Sequence, residues 1–248
     1  MTTSNPVFTG TTYDVTGSRA GYGPSMTVTG TVNKAGILLM LVLSTAIYTW
    51  NQAISAQDPS SVGGYTMIGA VGGFIFALIT IFKKEWAGVT APVYALLEGL
   101  FLGSISAMFE LRFPGIAMQA VALTFGTCFA MLLAYRSGLI KATPKFQVGV
   151  IAATGGIALT YFASMILGLF HVQVPGIFGA GPIGILFSVG VVIVASLNLI
   201  LDFNFIEQGA RQNAPKYMEW YSAFGLMVTL VWLYLEILRL FSKLRDRR

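Results

Sequence analysis

A chain of 248 residues that is 55% hydrophobic and only 10% charged lies far from the soluble average of about 25% charged residues. With a mean hydropathy of +0.74, it is read as a membrane protein, and an ordinary soluble domain is excluded. The net charge of +5 comes without a basic cluster in a nucleic-acid motif, so no nucleic-acid partner is expected.

Residues 1–31 are rich in Thr, Ser and Gly, include Pro6 and Pro24, and show no helical period. They read as a flexible polar tail. No apolar core follows an early basic cluster, so a cleaved signal peptide is not expected. Seven apolar runs follow: Val32–Trp50, Gly64–Phe82, Ala87–Phe109, Gly115–Tyr135, Phe146–Phe170, Ile183–Ile206 and Trp220–Phe241. Each is close to the roughly 20 residues a spanning helix needs. Lipid offers the backbone no hydrogen-bond partners, so each run satisfies its own as a helix. The expected organisation is a polar tail, one transmembrane domain over 32–242, and a basic C-terminal tail over 243–248. No internal repeat is evident, and an inverted-repeat transporter is not supported.

Nine lysines and arginines fall on the side of the N-terminal tail and of the loops after runs two, four and six: Arg19, Lys34, Lys83, Lys84, Arg136, Lys141, Lys145, Arg211 and Lys216. Arg112 stands alone on the other side. The N-terminus is therefore expected in the cytoplasm and the chain in the cell membrane. The end of the chain cuts against this pattern. Arg239, Lys243, Arg245, Arg247 and Arg248 fall outside if all seven helices cross, unless the last one is re-entrant. Seven crossings are favoured.

The third run carries Glu98, and beside it Ala95, Gly99, Gly103 and Ala107 recur every fourth residue. Such a small-residue stripe lets helix backbones approach closely, and packing is its first reading. A carboxylate at mid-membrane costs on the order of 2.5 kcal/mol or more, which makes Glu98 a functional candidate. The competing reading is a protonated acid hydrogen-bonded between helices. The one cysteine, Cys128 in the fourth run, permits neither an intrachain disulfide nor a cysteine metal cluster. Between runs five and six the sole histidine, His171, reads as an interfacial loop residue. There too "GAGPIG" mimics a dinucleotide fingerprint, with no strand before it and a proline inside it. It reads as a loop.

In the sixth run Ser188, Ala195, Asn198 and Asp202 share one helix face, and in the seventh Ser222, Gly225, Thr229, Trp232 and Glu236 do the same. Two consecutive helices thus carry a small or polar stripe that includes an acid, and both stripes are expected to face the interior. Oxygen ligands without histidine or thiolate suit Ca²⁺ or H⁺ rather than zinc. No cofactor and no fixed metal site is expected, only transient calcium at Asp202 and Glu236. Two plainer readings stay open. Asp202 stands near its helix end and reads equally as interfacial, and Glu236 has Arg239 at i+3 as an ion-pair partner.

The segments "APVYALLEGLFLGSIS", "LNLILDFNFIEQG" and "TLVWLYLEILRLF" resemble the signature segments of the transmembrane Bax-inhibitor motif family, in its bacterial branch. The resemblance covers residues from about 26 to 245. It implies an all-α, seven-transmembrane-helix bundle with the last helix central. It also implies a pair of acids on the last two helices, at Asp202 and Glu236, that controls a pH-sensitive calcium leak. Glu236 replaces the family's usual aspartate in "YLEILRLF". The family's latching arginine on an early helix has no counterpart here, and Lys83 and Lys84 are the substitutes on offer, with Arg239 as ion-pair partner.

The two acids are expected to share a proton in the closed bundle, because neighbouring carboxylates do not both ionise readily in low dielectric. Asn198 and Glu98 are placed as polar groups on the ion path. The alternative is a regulator of a membrane protease or stress response with no transport of its own. An enzyme is not expected, since no catalytic arrangement of serine, histidine or paired aspartate is present. The oligomeric state is not set by these residues.

Overall fold

A computed structural model describes residues 24–170 and 176–247. Seven helices, each long and apolar enough to cross a membrane, account for nearly all of them. They are α1 (Val28–Ala56), α2 (Gly63–Phe82), α3 (Ala87–Arg112), α4 (Ile116–Arg136), α5 (Pro144–Leu169), α6 (Pro182–Arg211) and α7 (Met218–Asp246). Short 3₁₀ turns at Pro59–Val62 and Lys84–Trp86 link α1 to α2 and α2 to α3. Among the described residues there is no strand, only an isolated bridge between Ser25 and Pro215.

The helices run past the apolar stretches because local chemistry ends them. Thr27 caps α1 by accepting the Gly30 N–H at 2.9 Å. Pro144 stands at the start of α5 behind the Thr143 cap. Gly115, at φ +83°, turns the chain from α3 into α4, and Glu110 accepts its N–H. Side chains such as Met40, Phe74 and Leu159 are about two-thirds exposed in mid-helix, which lipid tolerates and water does not. The chain is a multi-pass membrane protein. Burial differs widely among the spans: 61% of the apolar window of α7 is buried against 6% of that of α5. The last helix is the most buried of the seven.

Both expected tail boundaries move. Residues 1–23 lie outside the described residues, but Met26 is 2% exposed, its N–H donates to the Ala214 carbonyl at 2.7 Å, and α1 starts at Val28 rather than after residue 31. The C-terminal segment is no tail up to Asp246. It completes α7, with Lys243 buried. The reading of His171 falls outside the described residues.

The fold divides into two compact units, and the division runs through α6 and α7. The described part of the first comprises residues 24–117 and 204–228, and that of the second 118–170, 176–203 and 229–247. In the first unit α3 packs against both α1 and α2. A Cβ at Gly99 would run into Thr45 Oγ1 and the Val42 carbonyl, and one at Gly103 into the Ala46 carbonyl and Thr49 Oγ1. With Ala95 and Ala107 fully buried beside them, the small stripe is a helix–helix contact. Thr45 Oγ1 donates across it to the Leu96 carbonyl at 2.9 Å. In the second unit Tyr161, Phe178 and Phe187 form an aromatic cluster with ring centres 5.8–6.3 Å apart.

Candidate functional site

Glu236 is 2% exposed and its carboxylate is fully engaged within the second unit. The Tyr161 hydroxyl of α5 lies 3.0 Å from both of its oxygens. One turn along α7, Arg239 Nη1 donates to Glu236 Oε1 at 2.9 Å and to the Tyr161 hydroxyl at 2.8 Å. The guanidinium also lies 5.1 Å from the Tyr161 ring centre. Arg239 is 41% exposed. A buried carboxylate thus meets a cation that keeps one edge toward open space.

Asp202 is fully buried, as are Ser188, Ala195 and Asn198 on the same face of α6. Its interfacial reading is thereby set aside. Asn198 Nδ2 donates to Thr154 Oγ1 of α5 and to the Val194 carbonyl, both at 2.9 Å. Cys128 of α4 lies within electrostatic reach of Asp202. On α7, Ser222, Gly225, Thr229 and Glu236 are buried and Trp232 is half-buried.

The two acids stand at different heights. Asp202 precedes the end of α6 by nine residues and Glu236 follows the start of α7 by eighteen. At about 1.5 Å per residue the two levels differ by roughly 13 Å. The described hydrogen-bond partners of Glu236 are Tyr161 and Arg239, and Asp202 is not among them; counted along the two helices, α7 carries its acid past the level of the α6 acid. Arg239, rather than Lys83 or Lys84, is the cation beside Glu236. Lys83 is exposed, and Lys84 lies over the Tyr221 ring at 5.8 Å in the first unit.

One turn beyond Arg239, the Lys243 ammonium donates to the Ile177 carbonyl at 3.2 Å, the Gly184 carbonyl at 3.0 Å and Ser188 Oγ at 2.9 Å. Three donors meet three acceptors, which offsets the desolvation of a buried cation. The loop of "GAGPIG" supplies this seat. It folds so closely onto α6 that a Cβ at Gly184 would meet the carbonyls of Gly179, Gly176 and Ile177. A cavity of about 320 Å³ opens beside it, lined by Tyr161, Phe178, Ala180, Arg239, Ser242, Lys243 and Asp246.

Two acids of the first unit, Glu98 and Glu219, lie between its helices or are buried. Glu98 hydrogen-bonds Tyr94, one turn away on α3, and its Oε2 would lie 3.2 Å from a Cβ at Gly73 of α2. It is partly buried between helices, in keeping with the reading as a hydrogen-bonded acid. Glu219 is buried completely. It accepts from Thr27 N and Thr27 Oγ1, both at 2.9 Å, from Lys216 Nζ at 2.8 Å, and from Lys34 Nζ in a close ion pair. Gly30 faces it because any Cβ there would strike the carboxylate.

Sequence reasoning missed Glu219, Tyr161 and Lys243 as site residues. Spacing holds the signal for two of them. Lys243 follows Glu236 by seven residues on the same face, and Tyr161 follows Thr154 by seven on α5. Glu219 leaves no such trace, since its partners come from α1 and from the turn before α7.

A family model described as Bax inhibitor 1 like matches residues 5–246. Neither the curated proteins nor the solved structures yield a match.

Proposed function

This chain belongs to the Bax inhibitor 1 like family, and on that premise we propose that it is a pH-sensitive leak for calcium and other cations, controlled by proton occupancy at Asp202 with the ion-paired Glu236 as a second station. The observation that carries the reading is that one unit buries two carboxylates, 0% and 2% exposed, on consecutive spanning helices. Carboxylates at such depth are costly to keep, and where they are kept they commonly mark an ion or proton path. They stand at two levels, so they act as successive stations for a cation rather than as one proton-sharing pair. Oxygen-only surroundings suit a hard cation.

The two stations divide the work. At Glu236 the charge is met by Arg239 and the Tyr161 hydroxyl, so that level stays close to neutral. Asp202 then decides the charge of the α6 face. With its proton the face is neutral; without it a buried anion draws a cation inward. Flux rises with pH. Asn198, on the same face, orders the path through Thr154, and Glu98 is a secondary polar group. The lysine and arginine asymmetry supports a cytoplasmic N-terminus in the cell membrane.

Calcium flux into liposomes, titrated across roughly pH 5–8 where buried carboxyls commonly titrate, tests the reading. Asp202→Asn removes most of the pH dependence. Glu236→Gln frees Arg239 and lowers the flux at every pH. Parental midpoint and amplitude in both variants would overturn the two-station leak. Absence of flux in the parent, with a membrane protease co-purifying, would turn the assignment to a regulator.

A further inference from the structure

The cavity at the C-terminal end of α7 shares Tyr161 and Arg239 with the Glu236 station, and beyond that station its wall has the character of an anion site. Lys243 contributes charge while its donors are spent on Ile177, Gly184 and Ser188. Arg239 is different. Its hydrogen bonds to side chains among the described residues both leave from Nη1, and 41% of the side chain is exposed. The rest of the guanidinium, with Nε and Nη2, is a planar fork of the shape that phosphate oxygens meet two at a time. Glu236 and Asp246 balance the charges of Arg239 and Lys243, so the cavity offers directed donors rather than excess positive charge.

The cavity also has apolar surroundings suited to a lipid. Phe178 forms one wall. On the first turns of α6, Ile183 and Leu186 flank the Gly184 seat and are 67% and 73% exposed. Acyl chains lie along such residues in a bilayer while a headgroup reaches polar donors at the helix ends.

We propose that this cavity binds a phosphate ester, with the open edge of Arg239 as its principal ligand and Lys243 as the charge behind it. An anionic phospholipid headgroup and free phosphate share this chemistry, and the test separates them. The full chain in a neutral detergent is titrated, with bound mass read by native mass spectrometry, against dihexanoyl phosphatidylglycerol, inorganic phosphate and uncharged dihexanoylglycerol. Saturable binding of one phosphatidylglycerol is expected, and Arg239→Gln weakens it at least about tenfold, as loss of a charge-assisted hydrogen bond implies.

Ala180→Phe serves as the second variant. It fills the cavity from the loop and leaves Arg239, Glu236 and α7 untouched, so a folding defect in Arg239→Gln does not spoil the test. It should weaken binding as much. Phosphate that binds as tightly as phosphatidylglycerol, with the same loss in both variants, supports the site with a soluble ligand. Equal binding of dihexanoylglycerol, or phosphatidylglycerol binding that neither variant alters, overturns it.

Discussion

α7 buries two glutamates and treats them differently. Glu219, at its start in the first unit, receives two ammonium groups, a hydroxyl and a backbone N–H. Glu236, in the second unit, receives one half-exposed guanidinium and one phenol. The difference teaches how burial alone misleads. A carboxylate saturated with donors is a fastening whose charge is fixed, whereas one with a single, hydrated counter-ion can exchange partners. The packing around them follows suit. Glycines of the first unit press against backbone at Gly69, Gly99 and Gly103, while at Gly149, Gly155 and Gly156 on α5 nothing lies where a Cβ would go.

The largest expected effect breaks the fastening. Lys34→Met combined with Lys216→Met leaves Glu219 buried with Thr27 alone, and removing the partners of a buried charge costs about 3–5 kcal/mol. Unfolding in detergent should show that loss, and adding Glu219→Gln should recover much of it. A double-lysine variant as stable as the parent would mean that Glu219 needs no counter-charge.

Next comes packing. Gly103→Leu forces a side chain into Ala46 and Thr49, and overpacking of this kind typically costs about 1–3 kcal/mol. Gly156→Leu, with open space around it, should stay within about 0.5 kcal/mol of the parent. Equal tolerance at Gly103 and Gly156 would erase the contrast between the units.

Smallest is Glu236→Gln. An ion pair with a half-exposed arginine is worth less than about 1 kcal/mol, so the variant should unfold close to the parent while its flux changes. A loss as large as that of the double-lysine variant would make Glu236 a second fastening and remove the contrast.

The spans were legible in the sequence because bilayer thickness dictates their length, and the inward faces of α6 and α7 because lipid gives Ser188, Asn198, Asp202 or Glu236 no solvation. The meeting of the two acids was not. A small change in where the α6–α7 turn falls shifts every level along the hairpin by about 1.5 Å per residue, and periodicity carries no information about that register. Lys243 was hidden for a different reason. It belongs by spacing to the face of Glu236, but its basic neighbours gave the stretch the look of a tail. Glu219 was out of reach altogether, since Thr27 and Lys34 are 192 and 185 residues away along the chain.

That separation has a consequence for how the protein is made. Thr27 and Lys34 leave the ribosome with α1, and the carboxylate that receives them emerges only with α7, after α2 to α6. Six helices must be handed to the membrane before the first can be fastened. A nascent chain arrested before Met218 carries an α1 whose cap and lysine lack the Glu219 carboxylate. Synthesis of α7 thus doubles as a checkpoint on assembly, and protease sensitivity at the head of α1 in arrested chains would register whether the checkpoint has been passed.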